Sequence, residues 1–181
     1  MVNYVSLLRG INVGGNKIVK MESLSKSLQK IGFSNIKTIL ASGNIIFAFK
    51  EVDLKSLSSL ISKIIKTDFG FDVSVMVFTS QEFLNLASNS PFESQNSSNY
   101  EYVTFIREKP KKSSGLIQNA ALESGFEIVK LDGLSVYSLV PKDSKKSVDF
   151  MKMMEIYFTK DITTRNWNTI QKIIAELEKR R

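Results

Sequence analysis

The chain has 181 residues, of which 43% are hydrophobic, and its 25 Lys and Arg against 18 Asp and Glu give a net charge of +7. It contains no cysteine and no histidine, which excludes disulfides, thiolate nucleophiles, cysteine metal clusters and histidine catalysis. The length suits one ordinary domain or two small ones, the charge favours anionic partners, and the lack of a signal or membrane-spanning pattern predicts a cytoplasmic protein without a membrane partner.

The first half of the chain predicts the element order βαββαβ. Apolar residues recur at helical spacing in two segments, and these end at Gly32 and Gly70, where glycine can close a helix. Apolar runs on either side of the turn Ser42-Gly43-Asn44 indicate a hairpin. The predicted strands cover residues 2–8, 36–41, 45–49 and 73–77, and the helices cover residues 21–31, 54–69 and a short segment after Ser80.

The second half repeats this order after a stretch rich in Ser and Asn. The hairpin glycine Gly43 matches Gly133, and the first strands of the two halves share similar letters. Internal duplication leaves such a pattern, although chance similarity between two βαβ segments is the alternative. The predicted strands cover residues 100–107, 126–131, 134–140 and 162–164, and the helices cover residues 114–124, 148–158 and a final segment from Trp167.

These elements predict an α+β fold of two tandem ferredoxin-like subdomains (α/β plaits), each with an extra helix. The first subdomain covers residues 1–90, a linker covers residues 91–99, and the second subdomain covers residues 100–181. Helices cover one face of each sheet, so the other face must be buried elsewhere. The two bare faces pack on each other within the chain, or a homodimer covers them.

A glycine-rich run follows the first predicted strand. From Arg9 to Gly32 the chain advances 23 residues, whereas from Arg107 to Gly125 it advances 18. The first half therefore has five extra residues, which we place in its first strand-to-helix loop. Right-handed crossovers make the first two strands of such a unit parallel, so their ends share one edge of the sheet. The glycine run and the Ser42-Gly43-Asn44 turn are therefore expected to be neighbours.

Glycines let the backbone approach a ligand closely, and successive N–H groups ahead of a helix can bind phosphate or carboxylate. The run has neither the ending of a P-loop nor the spacing of a dinucleotide fingerprint. Asparagines in loops also bond their own backbone, which leaves a purely structural turn as the alternative. The predicted ligand-binding residues in this region are Arg9, Gly10, Asn12, Gly14, Gly15, Asn16, Lys17, Ser42, Gly43 and Asn44.

A second polar cluster covers residues 163–169 at the expected entrance to the last helix. Arg165 could bind an anion there with help from the helix dipole, and Asn166 is added to the predicted site. The alternative is that Thr164 or Asn166 caps the helix while Trp167 packs in the core. Neither polar cluster contains a carboxylate, so no metal site is expected, and catalytic residues and cofactor stay unassigned.

Three motifs together resemble the domain-of-unknown-function 1697 family of bacterial proteins. They are YVSLLRGINVGG at residues 4–15, SGN at residues 42–44 and TRNWNT at residues 164–169. The family carries no established activity, substrate or cofactor. The resemblance implies a bacterial, soluble, single-chain protein with two plait-like α/β subdomains, which agrees with the repeat described above.

These patterns favour an anion-binding domain pair that holds a phosphate-bearing small molecule or nucleotide at the glycine-rich run. One alternative is a nucleic-acid-binding protein, and another is a metal-independent hydrolase or transferase with Glu22 or a lysine as its base. The lysines that could follow a phosphate backbone lie in predicted loops of the second half: Lys109, Lys111, Lys112, Lys142, Lys145 and Lys146.

Overall fold

The structure is a computed structural model that describes residues 1–92, 98–110, 114–142 and 150–180. The first half contains β1 (Val2–Leu8), α1 (Met21–Gln29), β2 (Ser34–Ile39), β3 (Asn44–Phe49), α2 (Leu54–Phe69), β4 (Val75–Thr79) and α3 (Ser80–Ser88). The second half contains β5 (Asn99–Ile106), α4 (Ser114–Glu123), β6 (Glu127–Asp132), β7 (Ser135–Pro141), α5 (Phe150–Phe158), β8 (Ile162–Asn166) and α6 (Trp167–Glu178). Both halves thus have the predicted order βαββαβ.

Each half forms a four-stranded antiparallel sheet. The strand orders are β2-β3-β1-β4 and β6-β7-β5-β8, so corresponding strands occupy corresponding places. The α+β class and the presence of two similar subdomains are therefore confirmed. None of the helices in the described part of the chain has the length and apolar content needed to cross a bilayer.

The chain divides into two compact units. The first unit contains Met1–Ser88 together with the stretch from Gln171 onward, and the second contains Asn89–Ile170. This division differs from the one expected from the sequence, which assigned all of residues 100–181 to the second subdomain. Helix α6 begins in the second unit and ends in the first. Residues 93–97 of the expected linker lie outside the described residues.

In the first unit, α1 and α2 cover one face of the sheet. Leu24 and Leu28 of α1 and Leu57 and Ile61 of α2 are fully buried and belong to one apolar cluster with residues of the sheet, among them Phe47. This arrangement explains the helical spacing of the apolar residues. Helix α2 begins where the Asp53 side chain accepts a hydrogen bond from the Ser56 N–H at 2.8 Å, and it ends at Gly70 with a φ of +83°.

In the second unit, α4 and α5 pack on the corresponding face of the other sheet. Its apolar cluster includes Ile117 and Ala121 of α4 and Met154 and Phe158 of α5, packed with Val136 and other strand residues. The cluster is rich in aromatic rings, and centroid distances of 5.1 to 6.5 Å within it are typical of favourable ring pairs.

The opposite faces of the two sheets are also buried within one chain. Val5, Leu7 and Ile46 of the first sheet and Val103 and Phe105 of the second are at most 1% exposed. Because alternate strand residues face opposite sides, these buried positions show that the central strands are covered on both faces. The homodimer considered from the sequence stays a prediction.

Helix α3 covers part of the opposite face in the first unit. It contacts β1 and β4, and the buried ring of Phe83 lies 5.8 Å from the ring of Phe78, edge to face. Phe78 alternates along β4 with Val77, which faces the cluster under α1 and α2. The extra helix predicted for the first subdomain therefore packs on the side of the sheet away from α1 and α2.

Candidate functional site

Residues 9–20, called the glycine loop below, join β1 to α1 and contain a small hairpin. Val13 and Asn16 form a β-bridge, and the Asn16 N–H donates to the Val13 carbonyl at 3.1 Å. Gly14 and Gly15 between them have φ values of +59° and +76°. Two positive φ angles in succession are what a two-residue hairpin turn requires, and glycine adopts them without a steric penalty. The loop is therefore an ordered hairpin.

Asn12 attaches this hairpin to its surroundings. Its Oδ1 accepts from the Val19 N–H at 2.8 Å, and its Nδ2 donates to the carbonyls of Val19 at 3.0 Å and Ala41 at 2.7 Å. Ile11 and Val19, on either side of the hairpin, are each 2% exposed. Both amide hydrogens of Asn12 are used, since a side-chain amide has two. This residue therefore braces the loop, in agreement with the structural alternative considered for it.

The turn between β2 and β3 lies against the base of the glycine loop, as the crossover argument predicted. The Leu8 N–H donates to the Gly43 carbonyl at 2.8 Å. A Cβ added to Gly43 would lie 2.6 Å from Leu8 Cβ and 2.8 Å from Ile11 Cδ1. Only glycine fits at this position, because such distances are far shorter than van der Waals contact.

Asn44 also holds the backbone. Its side chain is buried, and its Nδ2 donates to the Ile39 carbonyl at 2.8 Å and to Ser42 Oγ at 3.0 Å. It thereby closes the turn from inside, whereas Ser42 itself is exposed. Of the three residues predicted in this turn, Gly43 and Asn44 shape the turn and Ser42 faces solvent.

Two cationic residues connect the glycine loop to the segment before β4. The Lys17 ammonium donates to the Asp72 carbonyl at 2.8 Å and lies 6.0 Å from the centre of the Phe71 ring. The backbone N–H of Arg9 donates to the Ser74 carbonyl at 2.9 Å. Asp72 and Phe71 were not predicted as part of the region, because a carbonyl contact leaves no side-chain pattern in a sequence.

The glycine loop itself carries three cations, Arg9, Lys17 and Lys20, and no acid. Residues 1–50 contain seven Lys and Arg and a single acid, Glu22. The Glu22 carboxylate lies 2.7 Å from Lys26, which holds the pKa of Glu22 below its ordinary value by hydrogen bonding and by charge. The first unit as a whole has 14 Lys and Arg against 8 Asp and Glu, and the second has 11 against 10. The net charges are therefore +6 and +1.

The tip of the glycine loop is open to solvent. Gly10, Gly14 and Gly15 are exposed, and a Cβ added at any of them would meet no atom within 4 Å. Val13 and Ile18 are 66% and 58% exposed. Peptide groups without side chains in front of them are accessible to a ligand. Asn16 and Lys17 are exposed at the same tip.

The second polar cluster lies where β8 ends and α6 begins. Arg165 lies inside β8, opposite Val103 of β5. It is 9% exposed, and its Nη1 donates to Thr163 Oγ1 at 3.0 Å and to the Thr164 carbonyl at 2.9 Å. Burial lowers its pKa to about 10. Arg165 thus lies two residues before α6 begins at Trp167, with its guanidinium bonded within the protein, and its role as an anion contact stays a prediction.

Asn166 has the capping role that was considered as the alternative. Its Oδ1 accepts from the Asn168 N–H at 3.0 Å where α6 begins, as capping residues do. Trp167 is buried and packs edge to face against Phe92, 5.4 Å between ring centres. Both residues belong to the second unit, whereas the glycine loop belongs to the first.

Of the six lysines considered in the second half, two lie within the described residues. Lys109 is exposed, and the Lys142 ammonium lies 5.5 Å from the centre of the Tyr100 ring. Tyr100 is the one aromatic residue among the large apolar side chains that are exposed in the described residues. The other four, Lys111, Lys112, Lys145 and Lys146, lie outside the described residues.

Fold and site together define a two-unit α+β protein with a braced glycine loop in its positively charged first unit. The chain belongs to the family described as protein of unknown function (DUF1697), whose sequence model matches residues 1–137. This confirms the resemblance based on the motifs, of which the first two lie within the matched range.

A solved structure shares the fold over nearly the whole chain. It is that of a conserved bacterial protein, SP0830, from Streptococcus pneumoniae, with a TM-score of 0.72 and 22% sequence identity. The similarity covers 97% of this chain and 98% of that one. Among curated proteins, no sequence matches the chain.

Proposed function

We propose that the protein binds a phosphate-bearing small molecule, such as a nucleotide, at the glycine loop of its first unit. The observation that carries this proposal is a braced loop that has open glycine peptides, three cations (Arg9, Lys17 and Lys20) and no acid. Exposed N–H groups and nearby cations are the groups that bind phosphate in proteins. The exposed Val13 and Ile18 beside them would suit the apolar face of a base.

The predicted residues divide into two roles under this proposal. Asn12, Gly43 and Asn44 form the base of the site, since their amides or their lack of a side chain are already used within the protein. The ligand would be contacted by residues that reach solvent at the loop and turn: Arg9, Gly10, Gly14, Gly15, Asn16, Lys17 and Ser42. Arg165 and Asn166 belong to the other unit and are not part of the proposed contacts.

A small ligand is favoured over nucleic acid. Single strands are usually held by exposed aromatic residues on which the bases stack, and in the described residues Tyr100 is the one aromatic among the exposed large apolar side chains. The positive charge is also concentrated in the first unit, while the lysines considered for a phosphate backbone belong to the second, whose net charge is +1.

Binding is favoured over catalysis. A general base needs a pKa near the working pH, and Lys26 shifts the pKa of Glu22 in the opposite direction. Glu22 also lies on the exposed side of α1, where its side chain is 80% exposed. A hydrolase or transferase would therefore require a base other than Glu22.

We further propose that each unit is a ferredoxin-like plait and that the two arose by internal duplication. The common element order and the common strand order support this proposal. The backbone contacts agree as well, since Leu8 N–H donates to the Gly43 carbonyl and Ile106 N–H donates to the Leu134 carbonyl at the corresponding place.

Amide chemical-shift titrations with inorganic phosphate, ATP and a single-stranded oligonucleotide at two salt concentrations test the proposal. Saturable ATP shifts in residues 9–20 and 42–44 are expected. Lys17→Gln should weaken ATP about tenfold, because a charge-assisted hydrogen bond is worth about 1.5–3 kcal/mol. Lys63→Gln, which removes an exposed lysine from α2, is the matched control. An unchanged loop spectrum, or equal effects of the two variants, would refute binding at the loop.

A further inference from the structure

The first unit has a groove at the edge of its sheet opposite to the glycine loop. Strands β1 and β2 both run antiparallel to β3 and are therefore parallel to each other. Their ends lie at the glycine loop and their beginnings at the other edge, where the groove has a volume of about 450 Å³. Ligand pockets typically span about 300–1,000 Å³. The residues that line it are Asn3, Asn35, Ile36, Lys37 and Arg180.

The wall formed by β2 is irregular. The pairing of β2 with β3 shifts between Ser34 and Lys37, and Asn35 has a φ of +49°. Asparagine adopts this left-handed conformation more readily than other residues with a side chain. Bulges of this kind redirect side chains and are frequent beside binding sites. Here the bulge turns the start of β2 toward the end of α6.

Arg180 forms the opposite wall and is held in place. Its Nη1 donates to the Asn35 carbonyl at 2.7 Å, and its Nη2 lies 3.4 Å from Glu176 Oε1. Its side chain is 18% exposed. A guanidinium has five N–H donors in a fixed plane, so these two contacts leave donors that can face the groove. The contact with Asn35 joins residues 145 positions apart.

Three other polar residues, Asn3, Asn35 and Lys37, line the groove. Asn3 pairs with Ala48 of β3 and Lys37 pairs with Ile46, two residues away, so both point to the same face of the sheet. Within the described residues, the side chains of Asn3, Asn35 and Lys37 have no hydrogen bond or ion pair. Two amides and one ammonium group are therefore available beside the Arg180 guanidinium.

We propose that this groove is a second ligand site, which takes a small hydroxylated carboxylate. The lining contributes two cations, Lys37 and Arg180, while Glu176 is shared between Arg180 and the exposed Lys179, so the excess of positive charge favours an anion. Arg180 presents planar donors that suit a carboxylate. The amides of Asn3 and Asn35 both donate and accept, as neighbouring hydroxyl groups on the ligand require.

Amide shifts on adding gluconate, acetate or sorbitol test the site. Gluconate carries both the charge and the hydroxyls, whereas acetate lacks the hydroxyls and sorbitol lacks the charge. Saturable gluconate shifts at residues 3 and 35–37 are expected. The affinity for gluconate should be about tenfold higher than for acetate or sorbitol, because each of these lacks some of the hydrogen bonds that gluconate makes. Absence of these shifts overturns the proposal, and equal affinity for acetate or sorbitol overturns the ligand class.

Two variants separate the site from a general charge effect. Lys37→Gln should weaken gluconate about tenfold, and Asn35→Gly, which keeps the positive φ but removes the amide, should weaken it severalfold. Lys63→Gln should leave the affinity unchanged. Unperturbed amides elsewhere in the sheet show that each variant is folded. A wild-type gluconate affinity in Lys37→Gln would contradict the proposed groove site. This outcome does not depend on whether ATP binds at the glycine loop.

Discussion

The two units build the segment after their first strand differently. In the first unit, 12 residues (9–20) join β1 to α1, whereas in the second, 7 residues (107–113) join β5 to α4. The difference of five residues agrees with the sequence comparison. In both units this segment is tied to the one before the fourth strand, by Lys17 and the Asp72 carbonyl in the first and by an ion pair between Arg107 and Asp161 in the second.

The comparison shows that the short connection is sufficient to close this arrangement of strands. The braced hairpin of the first unit is thus an addition that the topology does not require, and loops positioned by a scaffold often carry function. The turn beside it is also longer: four residues separate Ile39 from its partner Asn44, and two separate Asp132 from Ser135.

The register corrects one detail of the proposed repeat. Leu7 pairs with Asn44, and Phe105 pairs with Ser135 at the same place in the other sheet. The sequence comparison matched Gly43 to Gly133. The register instead makes Gly43 correspond to Leu134. Leucine can stand there in the second unit, where it is 44% exposed, whereas Gly43 is enclosed by Leu8 and Ile11 of the first.

The largest effect is expected for Gly43→Ala. A Cβ there meets Leu8 Cβ at 2.6 Å and the φ is +76°, so clash and backbone strain together should cost about 3 kcal/mol. Gly133→Ala is the control, because its φ is +59° but no atom lies within 4 Å. It should lose about 1 kcal/mol. Urea unfolding measures both, and equal losses would disprove the close packing of turn and loop.

A smaller effect is expected for Asn12→Ala. It removes three hydrogen bonds to Val19 and Ala41, which should lower the free energy of unfolding by about 2 kcal/mol. Hydrogen exchange at the Val19 amide should accelerate, since its acceptor is lost. Asn16→Ala, at the exposed tip, serves as the comparison and should change stability by less than about 0.5 kcal/mol. Slow Val19 exchange in Asn12→Ala would show that the brace is dispensable.

Lys17→Met tests the tie between the glycine loop and Asp72. Methionine keeps much of the apolar stem beside Phe71 but cannot donate to the Asp72 carbonyl, so about 1 kcal/mol should be lost. The loss should be largely independent of salt, because the acceptor is neutral. A loss that disappears at high salt would indicate that the ammonium acts through distant charges instead.

The smallest effect is expected for Arg107→Met, which breaks the corresponding tie in the second unit. The side chains of Arg107 and Asp161 are 39% and 49% exposed, and ion pairs exposed to this degree contribute about 0.2–1 kcal/mol. The loss should shrink as salt is added. If Arg107→Met proved more damaging than Lys17→Met, the shorter loop would depend more on its tie than the longer one.

Periodicity and topology rules were sufficient for much of the fold. The apolar spacing around Leu24 and Leu28 predicts a helix. The handedness of crossovers predicts that the glycine loop lies beside the turn at residues 42–44. The end of β8 was less predictable, since it lies two residues beyond the expected Thr164. The β-branched pair Thr163 and Thr164 extends β8 across Arg165, although the same residues also suit a helix entrance.

The candidate sites were less predictable than the elements. A glycine run signals an unusual backbone, but it does not tell whether an asparagine beside it faces a ligand or, like Asn12, the protein. The groove at Asn3 and Lys37 depends on a bulge in β2 and on Arg180, which reaches Asn35 from far along the chain. Such contacts are set by tertiary packing, so a pattern of neighbouring residues does not reveal them.

The return of the chain to its first unit affects how the protein is made. Buried residues of the last segment, Ile173, Ile174 and Leu177, belong to the unit that begins at the N-terminus. During synthesis, a ribosome releases the second unit before this last segment of the first. The nascent chain therefore contains all of the second unit once Ile170 is added, and the first unit stays incomplete for seven further residues, to Leu177. A fragment ending at Ser88 would lack these three buried residues. The first unit thus needs two separate segments of the chain, whereas the second is one continuous segment.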